Sequence, residues 1–394
     1  MAILLSDAGL HTHLLPLTYT RPVGMLRPGI LTLAEAWQRL SGLPVGFSTE
    51  AYLREKFPAR EAQQVFEVHG GLLPNPALAA AVLNLGPGEV LMNRGKVLAF
   101  CLEGSARAED LHWSLPPGYL TPVEHEADVF LVERPWHLFQ LCGKAITYDL
   151  GLITEGRHSQ PLSASNTVLG DPGLIFLEEG ARVEASILNT GNGPIWIGRD
   201  AEVMEGCMVR GPFALGQGAQ LKMGAKIYGP CAFGPECRIG GEVNNSVVLG
   251  YSNKGHDGFL GNSVLGEWCN LGADTNTSNL KNTYGEVNAW NYAEGALAPT
   301  GQQFLGLVMG DHSKSGINTM FNTGTVAGVC ANVFGSGFPP KHIASFSWGE
   351  GGTYALEKAL ETCQRVMERR KLPLTLQDRK VLSEVFHLTE RYRH

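Results

Sequence analysis

A repeat of six residues constrains this chain more than any other feature of its sequence. A spacing of six residues does not fit a helix, in which the apolar face recurs every three or four residues, and it does not fit the alternation of a simple hairpin. It fits a triangular coil in which each side turns one large side chain towards the axis. A large apolar residue recurs through eight consecutive repeats: Ile197, Val203, Val209, Leu215, Leu221, Ile227, Phe233 and Ile239. The repeat therefore predicts a left-handed parallel β-helix of hexapeptide repeats.

Small residues mark the predicted corners of this coil. Four positions after most of the large apolar residues stands an alanine or a cysteine: Ala201, Cys207, Ala219, Ala225, Cys231 and Cys237. Three of the eight cysteines are thereby explained as small apolar residues. Because the chain has no C-x-x-C pair, the cysteines indicate neither a zinc ribbon nor a disulfide framework, and we expect them to remain reduced.

Two interruptions of the repeat set the predicted extent of the coil. The frame continues with Phe259, Leu265 and Leu271, but the step from Ile239 to Phe259 is two residues longer than three repeats. A polar segment, 276–303, is predicted to form an arm. The frame then resumes at Met309, Ser315, Phe321, Ala327 and Val333. We expect the β-helix to cover residues 166–345.

The segments on either side of the coil have other patterns. Residues 1–148 alternate strand-like apolar runs with a helical stretch, which favours a small α/β domain. Residues 149–165 are rich in glycine and polar residues and are predicted to be a linker. Residues 346–394 carry a helical apolar stripe and, beyond Pro373, a second helix. These helices are expected to cover the open end of the coil.

Two arginines in the amino-terminal domain are candidates for binding phosphate. Arg21 and Arg27 lie in a long loop, and arginine side chains can clamp a phosphate or a diphosphate. The same side chains could instead pair with surface acids. Without a glycine-rich fingerprint nearby, the sequence leaves both interpretations open.

Composition and charge favour small-molecule chemistry. The net charge is -7 and there is no long basic run, which argues against binding to nucleic acid or to an acidic membrane surface. No apolar stretch is long enough to cross a membrane, and the opening run, ended by Asp7, is too short for a signal peptide. We therefore expect a cytoplasmic protein with no nucleic-acid and no membrane partner.

Three blocks of sequence carry a resemblance to a known family. They are LLPLTYTRPVGMLRPGILTL at 14–33, GGEVNNSVVLGYSNKGHDGFLGNSVLGEWCNLGADTNTSNLKN at 240–282 and GDHSKSGINTMFNTGTV at 310–326. With these blocks the chain resembles sugar nucleotidyltransferases related to the bifunctional N-acetylglucosamine-1-phosphate uridyltransferase and glucosamine-1-phosphate acetyltransferase. The resemblance runs nearly end to end. It implies a nucleotidyltransferase-like domain, a hexapeptide-repeat acyltransferase domain and a homotrimer.

The resemblance implies an acetyltransferase site around His256. In the family, a histidine followed three residues later by an aromatic residue is the base, and here that pattern is His256 and Phe259. The family's preceding glutamate matches Glu242, and its later asparagines match Asn270 and Asn279. Histidine can accept the proton of an amine near neutral pH, and a carboxylate can hold the imidazole in one tautomer. Contacts with the acetyl-coenzyme A donor are implied for Ala273, Ile317, Gly335 and Lys341.

The match is incomplete where the family binds the sugar phosphate. The family's lysine two residues after the glutamate is Asn244 here, and its tyrosine after the histidine is Phe259. A basic residue is retained at Lys226, and Lys254 lies two residues before His256. The resemblance therefore implies an amino sugar or a sugar phosphate as the acceptor.

The amino-terminal domain departs further from the family. Its G-x-G-T-R signature is replaced by the run from Ser6 to His11, and the downstream Pro-Lys is absent. In the family, the backbone amides of these glycines and the arginine and lysine of the two signatures hold the nucleotide phosphates. We therefore expect weak ligand binding without useful nucleotidyl transfer, and Mg²⁺ only if the domain is active. Asp7 could hold that ion, but an acid after a first strand is more often a turn residue.

Three functions remain open at this point. The first is transfer of an acyl group from acetyl-coenzyme A to an amino sugar, supported by Glu242, His256 and Asn270. The second is sugar-1-phosphate nucleotidyl transfer using Arg21 and Arg27, and the third is a non-catalytic ligand-binding scaffold. A zinc-dependent carbonic anhydrase on the same coil is disfavoured because no H-x-x-x-x-H pair occurs, and no metal site is predicted.

Overall fold

Three structural parts follow one another along the chain. The computed structural model describes residues 1–103, 113 and 120–393. These form an amino-terminal α/β domain, a three-sided parallel β-helix and carboxyl-terminal helices. The predicted fold class is confirmed.

The amino-terminal domain is built on a mixed six-stranded sheet. Its strands are β1 Ala2–Ser6, β2 Val45–Ser48, β3 Gln64–His69, β4 Glu89–Asn93, β5 Lys96–Glu103 and β6 Thr121–Glu124. The sheet order is β2-β1-β3-β5-β4-β6. Strand β1 is parallel to β2 and β3, whereas β5 is antiparallel to β3 and β4.

Three helices accompany this sheet: α1 Leu33–Ser41, α2 Pro76–Leu83 and α3 His137–Thr154. Helix α3 packs on the coil so closely that a Cβ on Gly143 would lie 3.1 Å from the Pro230 ring. Helix α3 runs across residue 148, where the sequence analysis ends the first domain, and its buried residues continue to Ile153. The irregular connection to the coil begins after Thr154.

The coil has three faces, which we name by their strands. The first face consists of Thr167–Leu169, Ile187–Asn189, Met208–Arg210, Lys226–Tyr228, Glu242–Asn244 and Phe259–Gly261, followed by Asn276–Thr277 and Met320–Phe321. The second face consists of Ile175–Leu177, Ile195–Ile197, Phe213–Leu215, Cys231–Phe233, Val247–Gly250, Val264–Glu267, Leu307–Met309, Thr325–Ala327 and His342–Ile343. The third face consists of Arg182–Val183, Glu202–Val203, Gln220–Leu221, Arg238–Ile239, Asn253–Lys254, Lys314–Ser315, Asn332–Val333, Ser347–Trp348 and Gly352–Thr353.

Burial confirms the six-residue repeat. All eight large residues from Ile197 to Ile239 are at most 2% exposed, and the alanines and cysteines at the predicted corners are fully buried. One position of the later frame is corrected, because Leu260, and not Phe259, is buried and pairs with Val243, whereas Leu265 and Leu271 are buried as predicted. The inward residues Ile239, Val243 and Val248 are four and five positions apart instead of six. The sides of the coil are therefore shorter there, and the later inward residues no longer fall at multiples of six from Ile239.

The predicted arm contains an antiparallel hairpin. Its strands are Asn288–Asn291 and Ala296–Pro299. The first two residues of the predicted segment, Asn276–Thr277, belong instead to the coil, where they pair with Met320–Phe321.

The carboxyl-terminal helices are α4 Leu356–Glu368 and α5 Leu376–Leu388. Helix α5 packs near the end of the coil, where the Phe346 and Phe386 rings meet edge to face at 5.0 Å. Helix α4 lies along the third face, and Arg370 just after it donates to Asn253 Oδ1 at 3.2 Å. Throughout the described residues, no helix has the length and apolar character needed to span a membrane.

A buried ion pair joins the amino-terminal domain to the coil. The Arg21 guanidinium contacts the Asp311 carboxylate and lies 3.2 Å from Glu267 Oε2. The Thr20 hydroxyl donates to the same Asp311 carboxylate at 2.7 Å. Burial opposes the charge on Arg21, but Asp311 and Glu267 raise the pKa of Arg21, so the guanidinium remains charged.

We predict that Arg21→Ala strongly destabilises the protein. It would leave the Asp311 carboxylate buried without its cation, which typically costs about 3–5 kcal/mol. Urea unfolding measures the change. Arg94→Ala is the matched control, since Arg94 is 73% exposed in its pair with Asp128 and should change stability by less than about 1 kcal/mol. Equal effects of the two variants would contradict the prediction.

Candidate functional site

Four of the predicted site residues lie together on the first face. Lys226 pairs with Glu242, which pairs with Phe259, and Asn244 lies two positions along the same strand as Glu242. The residues between them, Ile227, Val243 and Leu260, point into the core. Because side chains alternate along a strand, the predicted site residues point outwards as neighbouring rows.

Asn279 closes one end of these rows. Its amide donates to Asn262 Oδ1 at 2.7 Å. A Cβ on Gly261 would lie 2.5 Å from the Phe259 ring and 2.7 Å from Asn279 Nδ2. Only glycine lets these two side chains approach the strand so closely.

His256 lies at the corner between the third and first faces. The turn that carries it follows Asn253–Lys254 and precedes Phe259–Gly261. The His256 side chain is exposed, and its carbonyl oxygen packs 2.9 Å from where a Cβ on Gly241 would lie. The imidazole is therefore displayed at the edge where the two faces meet.

On the third-face side of this corner, His256 lines a cleft of about 670 Å³. The cleft also contains three other predicted site residues: Asn270, Ala273 and Ile317. The structure therefore brings together the predicted base, one predicted sugar contact and two predicted donor contacts. Glu242 and Lys226 lie on the first face, on the other side of the corner.

The cleft has a strongly cationic lining. No carboxylate is found among its described lining residues. Five basic side chains contribute to it: Lys222, Arg238, Lys314, Arg369 and Arg370. Burial lowers the pKa of Lys222, and the nearby Arg238 lowers it further. Behind the lining, Glu236 lies 3.2 Å from Arg238 and 3.8 Å from Arg370. One carboxylate thus faces two guanidinium groups, which leaves the cleft suited to an anion.

An aromatic stack forms one wall of the same cleft. The rings of Tyr251 and Trp268 are stacked with centroids 4.2 Å apart, and Trp268 lies nearly parallel to the His312 ring at 6.1 Å. Tyr251 and Trp268 both line the cleft. The wall offers an apolar surface beside the cations.

The predicted donor contacts divide into two groups. Ala273 and Ile317 occupy the corner that continues from His256, as shown by the Asn318 amide donating to the Ala273 carbonyl at 2.8 Å. Gly335 follows the third-face strand Asn332–Val333 and lines a separate cavity near the end of the coil. Lys341 lies apart from the His256 cleft, because its ammonium donates to the Asn288 carbonyl in the arm at 3.1 Å.

Lys254 is not at the surface, contrary to the sequence interpretation. It takes the inward position next to Ile239, is 2% exposed and donates to the His256 carbonyl. Burial lowers the pKa of Lys254 to about 8, although Asp257 and Asp274 oppose this shift. Its ammonium therefore supports the turn that carries His256 from inside the coil.

The two candidate phosphate-binding arginines have protein partners. Arg21 is used by Asp311 and Glu267, as described above. Arg27 donates to the Ile30 carbonyl and lies 3.2 Å from Glu35 Oε2. Both guanidinium groups thus pair with acids of the protein, Arg27 with a surface acid as in the second interpretation, but Arg21 mainly with the buried Asp311.

Asp7 also serves the fold. Its carboxylate accepts from the Val23 amide at 2.8 Å and from the Thr49 hydroxyl at 2.5 Å. Within the described part of the chain, no group of three or more His, Cys, Asp or Glu side chains is arranged to hold a metal ion. The residues here do not fit a Mg²⁺ site.

Comparisons with known proteins place this site in context. A family model described as sugar nucleotidyl transferase matches residues 2–158. A bifunctional sugar-1-phosphate nucleotidylyltransferase/acetyltransferase from Sulfurisphaera tokodaii is 32% identical over 93 residues, which are 24% of this chain and 23% of that protein. The bifunctional protein GlmU of Methanocaldococcus jannaschii is 32% identical over 87 residues, or 22% of this chain and 21% of its own. The chain thus spans less than a quarter of either relative.

A solved structure is also similar to part of the chain. It is an Arabidopsis UDP-N-acetylglucosamine acyltransferase, matched over 54% of this chain and 80% of its own at 12% identity, with a TM-score of 0.22. The family-model match and the two relatives described above confirm the family resemblance drawn from the sequence motifs.

Sequence reasoning missed part of the cleft. Lys222 and Arg238 belong to outward positions of the third face, and the repeat marks those positions without showing which face a ligand would meet. Arg369 and Arg370 stand as a pair of adjacent arginines after the apolar stripe of α4. That pair was a visible signal, but nothing in the sequence shows that α4 packs beside His256.

We predict that the contribution of Lys254 to stability depends on pH. Its pKa of about 8 in the folded protein lies below the usual 10.5 of lysine, so the unfolded chain binds more protons between these values and stability rises with pH there. Relative to Lys254→Met, the unmodified protein should gain about 2 kcal/mol between pH 7 and pH 10. Urea unfolding at both pH values provides the measurement.

Lys96→Met is the control for this experiment, since the Lys96 side chain is 60% exposed. Its stability difference from the unmodified protein should change little over the same range. A pH-independent difference for Lys254→Met would show that the ammonium is not buried in solution.

Proposed function

We propose that the β-helix transfers an acyl group from acetyl-coenzyme A to a phosphorylated amino sugar. The observation that carries the proposal is the cleft at the His256 corner. It combines an exposed imidazole with five basic side chains.

The chemistry needs a base next to a binding site for an anionic substrate. His256 accepts a proton from the acceptor amine while the amine nitrogen attacks the thioester carbonyl carbon. The new C–N bond forms, the C–S bond breaks, and the proton held by His256 passes to the departing sulfur, so that coenzyme A leaves as the thiol. Asn270 contributes polar contacts to the bound substrate, and Ala273 and Ile317 line the path of the donor.

The cationic lining supports a phosphorylated substrate. Five basic groups with only Glu236 as a described ion-pair partner repel one another, and an anion relieves that repulsion through charge-assisted hydrogen bonds. Phosphates occur on coenzyme A and on a sugar phosphate, so the same chemistry serves either substrate. This lining could also compensate for Asn244, which stands where the family has a lysine.

We propose that a second copy of the chain completes the site. The first face exposes several apolar side chains, each 39–49% accessible: Leu169, Ile187, Met208 and Tyr228. The same face carries Lys226, Glu242 and Phe259, across the corner from the cleft. A homotrimer in which each first face meets a neighbour's corner would cover the apolar residues and add these groups to a neighbouring cleft. A single-chain mass in sedimentation at micromolar concentration would refute this assembly.

His256→Ala should lower acyl transfer by roughly 10²- to 10⁴-fold, as expected for loss of a general base. Release of coenzyme A thiol from acetyl-coenzyme A, measured with several amino sugars and their phosphates, reports the rate. His158→Ala is the matched control, because His158 is also exposed but lies outside the cleft. Unchanged thiol release in the folded His256 variant would refute the assigned role.

Arg370→Ala should raise the KM of the phosphorylated substrate by roughly 10- to 100-fold and leave kcat nearly unchanged, because charge-assisted hydrogen bonds contribute about 1.5–3 kcal/mol. Arg365→Ala is the control on the same helix, since Arg365 is 72% exposed and pairs with Glu361. Comparing coenzyme A with dephospho-coenzyme A, and the amino sugar with its phosphate, identifies which phosphate Arg370 binds. Equal KM values for the two variants would contradict the assignment.

A second candidate function is sugar-1-phosphate nucleotidyl transfer. The family match over residues 2–158 favours it. Against it stand the missing G-x-G-T-R signature and the engagement of Arg21, Arg27 and Asp7 within the fold. Diphosphate release with Mg²⁺, nucleoside triphosphates and sugar 1-phosphates distinguishes the two activities, and a non-catalytic scaffold would show neither.

A further inference from the structure

Two cysteines from distant parts of the chain meet behind the cleft. The Cys330 and Cys363 sulfur atoms are 3.8 Å apart, at hydrogen-bonding distance for thiols. Cys330 lies on the coil just before the strand Asn332–Val333, and Cys363 lies in the middle of α4. Both residues are at most 3% exposed.

The two thiols have unequal surroundings. The hydrogen bond from Cys330, together with the nearby His312 and Lys314, lowers the pKa of the Cys363 thiol. Burial instead raises the pKa of Cys330. These surroundings favour the thiolate at Cys363 over Cys330, and the thiolate is the form of cysteine that reacts with an oxidant.

This pair is continuous with the cleft on two sides. Helix α4 and the residues just after it carry Cys363 and also supply Val366, Arg369 and Arg370 to the cleft lining. On the other side, His312 stacks on Trp268, which lines the cleft. A covalent bond at the thiol pair would therefore fix the helix that supplies the basic wall.

We propose that Cys330 and Cys363 form a reversible disulfide on exposure to hydrogen peroxide, tying α4 to the coil. The sulfur contact between two separate structural parts carries this proposal. It goes beyond the proposed function, since the thiol chemistry does not require acyl transfer to occur.

The reaction has two balanced steps. The Cys363 thiolate attacks one peroxide oxygen, the O–O bond breaks, and hydroxide leaves, giving a sulfenic acid. The Cys330 sulfur then attacks the Cys363 sulfur as its proton leaves, the S–S bond forms, and the sulfenic hydroxyl departs as water. Peroxide gains the two electrons that the thiols lose. A dithiol such as dithiothreitol reverses the change by exchange.

The test counts thiols in the intact protein. After brief treatment with hydrogen peroxide, the protein is denatured in an alkylating reagent and its mass is measured. We expect six of the eight cysteines to be alkylated, full alkylation after dithiothreitol, and a Cys330–Cys363 link in the peptide map. The oxidised protein should also unfold at a higher temperature than the reduced protein.

Two variants make the assignment specific. Cys363→Ser should keep all of its remaining thiols alkylatable after peroxide, whereas Cys237→Ser, which removes another buried cysteine, should still lose two. Cys330→Ala replaces Cys363→Ser if the latter does not fold. Retention of all eight thiols, a disulfide between any other two cysteines, or irreversible oxidation at Cys363 would each overturn the proposal.

Discussion

The axis of the coil must be filled by one side chain from each side of every turn, and the rest of the structure depends on that constraint. Close packing along the axis fixes which residues point inwards, and strand geometry then sends their neighbours outwards. Glu242, Asn244 and Phe259 reach the surface as adjacent rows because Val243 and Leu260 occupy the interior. The residues that bind and react are thus positioned by those that pack.

The candidate site lies where this packing rule is relaxed. Between Ile239 and Leu260 the inward spacing shortens, and Lys254 replaces an apolar residue on the axis. Its ammonium donates a hydrogen bond to the His256 carbonyl. A charged group in that position weakens the core, but it stabilises the turn that holds His256 at a corner. Functional sites commonly hold a polar group in a fixed position at the expense of local stability.

The sequence was sufficient to predict the coil, because the repeat is local and each inward residue reports its own burial. It also marked His256, Asn270, Ala273 and Ile317 through the family resemblance, and these four line one cleft. Other features depend on contacts between residues far apart in sequence. Arg21 meets Asp311 and Cys363 meets Cys330 only after folding. The inward position of Lys254 was missed for a different reason, since a lysine gives no sign of entering a core.

The arginines of this protein differ in how completely carboxylates neutralise them, and this difference bears on function. Arg21 is buried with carboxylates beside it, so its pairing is complete and serves to join two domains. Arg238 and Arg370 share the single carboxylate of Glu236, and the cleft in front of them has no described acid among its lining residues. If these arginines served only stability, a second acid would compensate them at little cost. Positive charge left uncompensated beside an exposed histidine is instead what a site for a phosphorylated substrate requires.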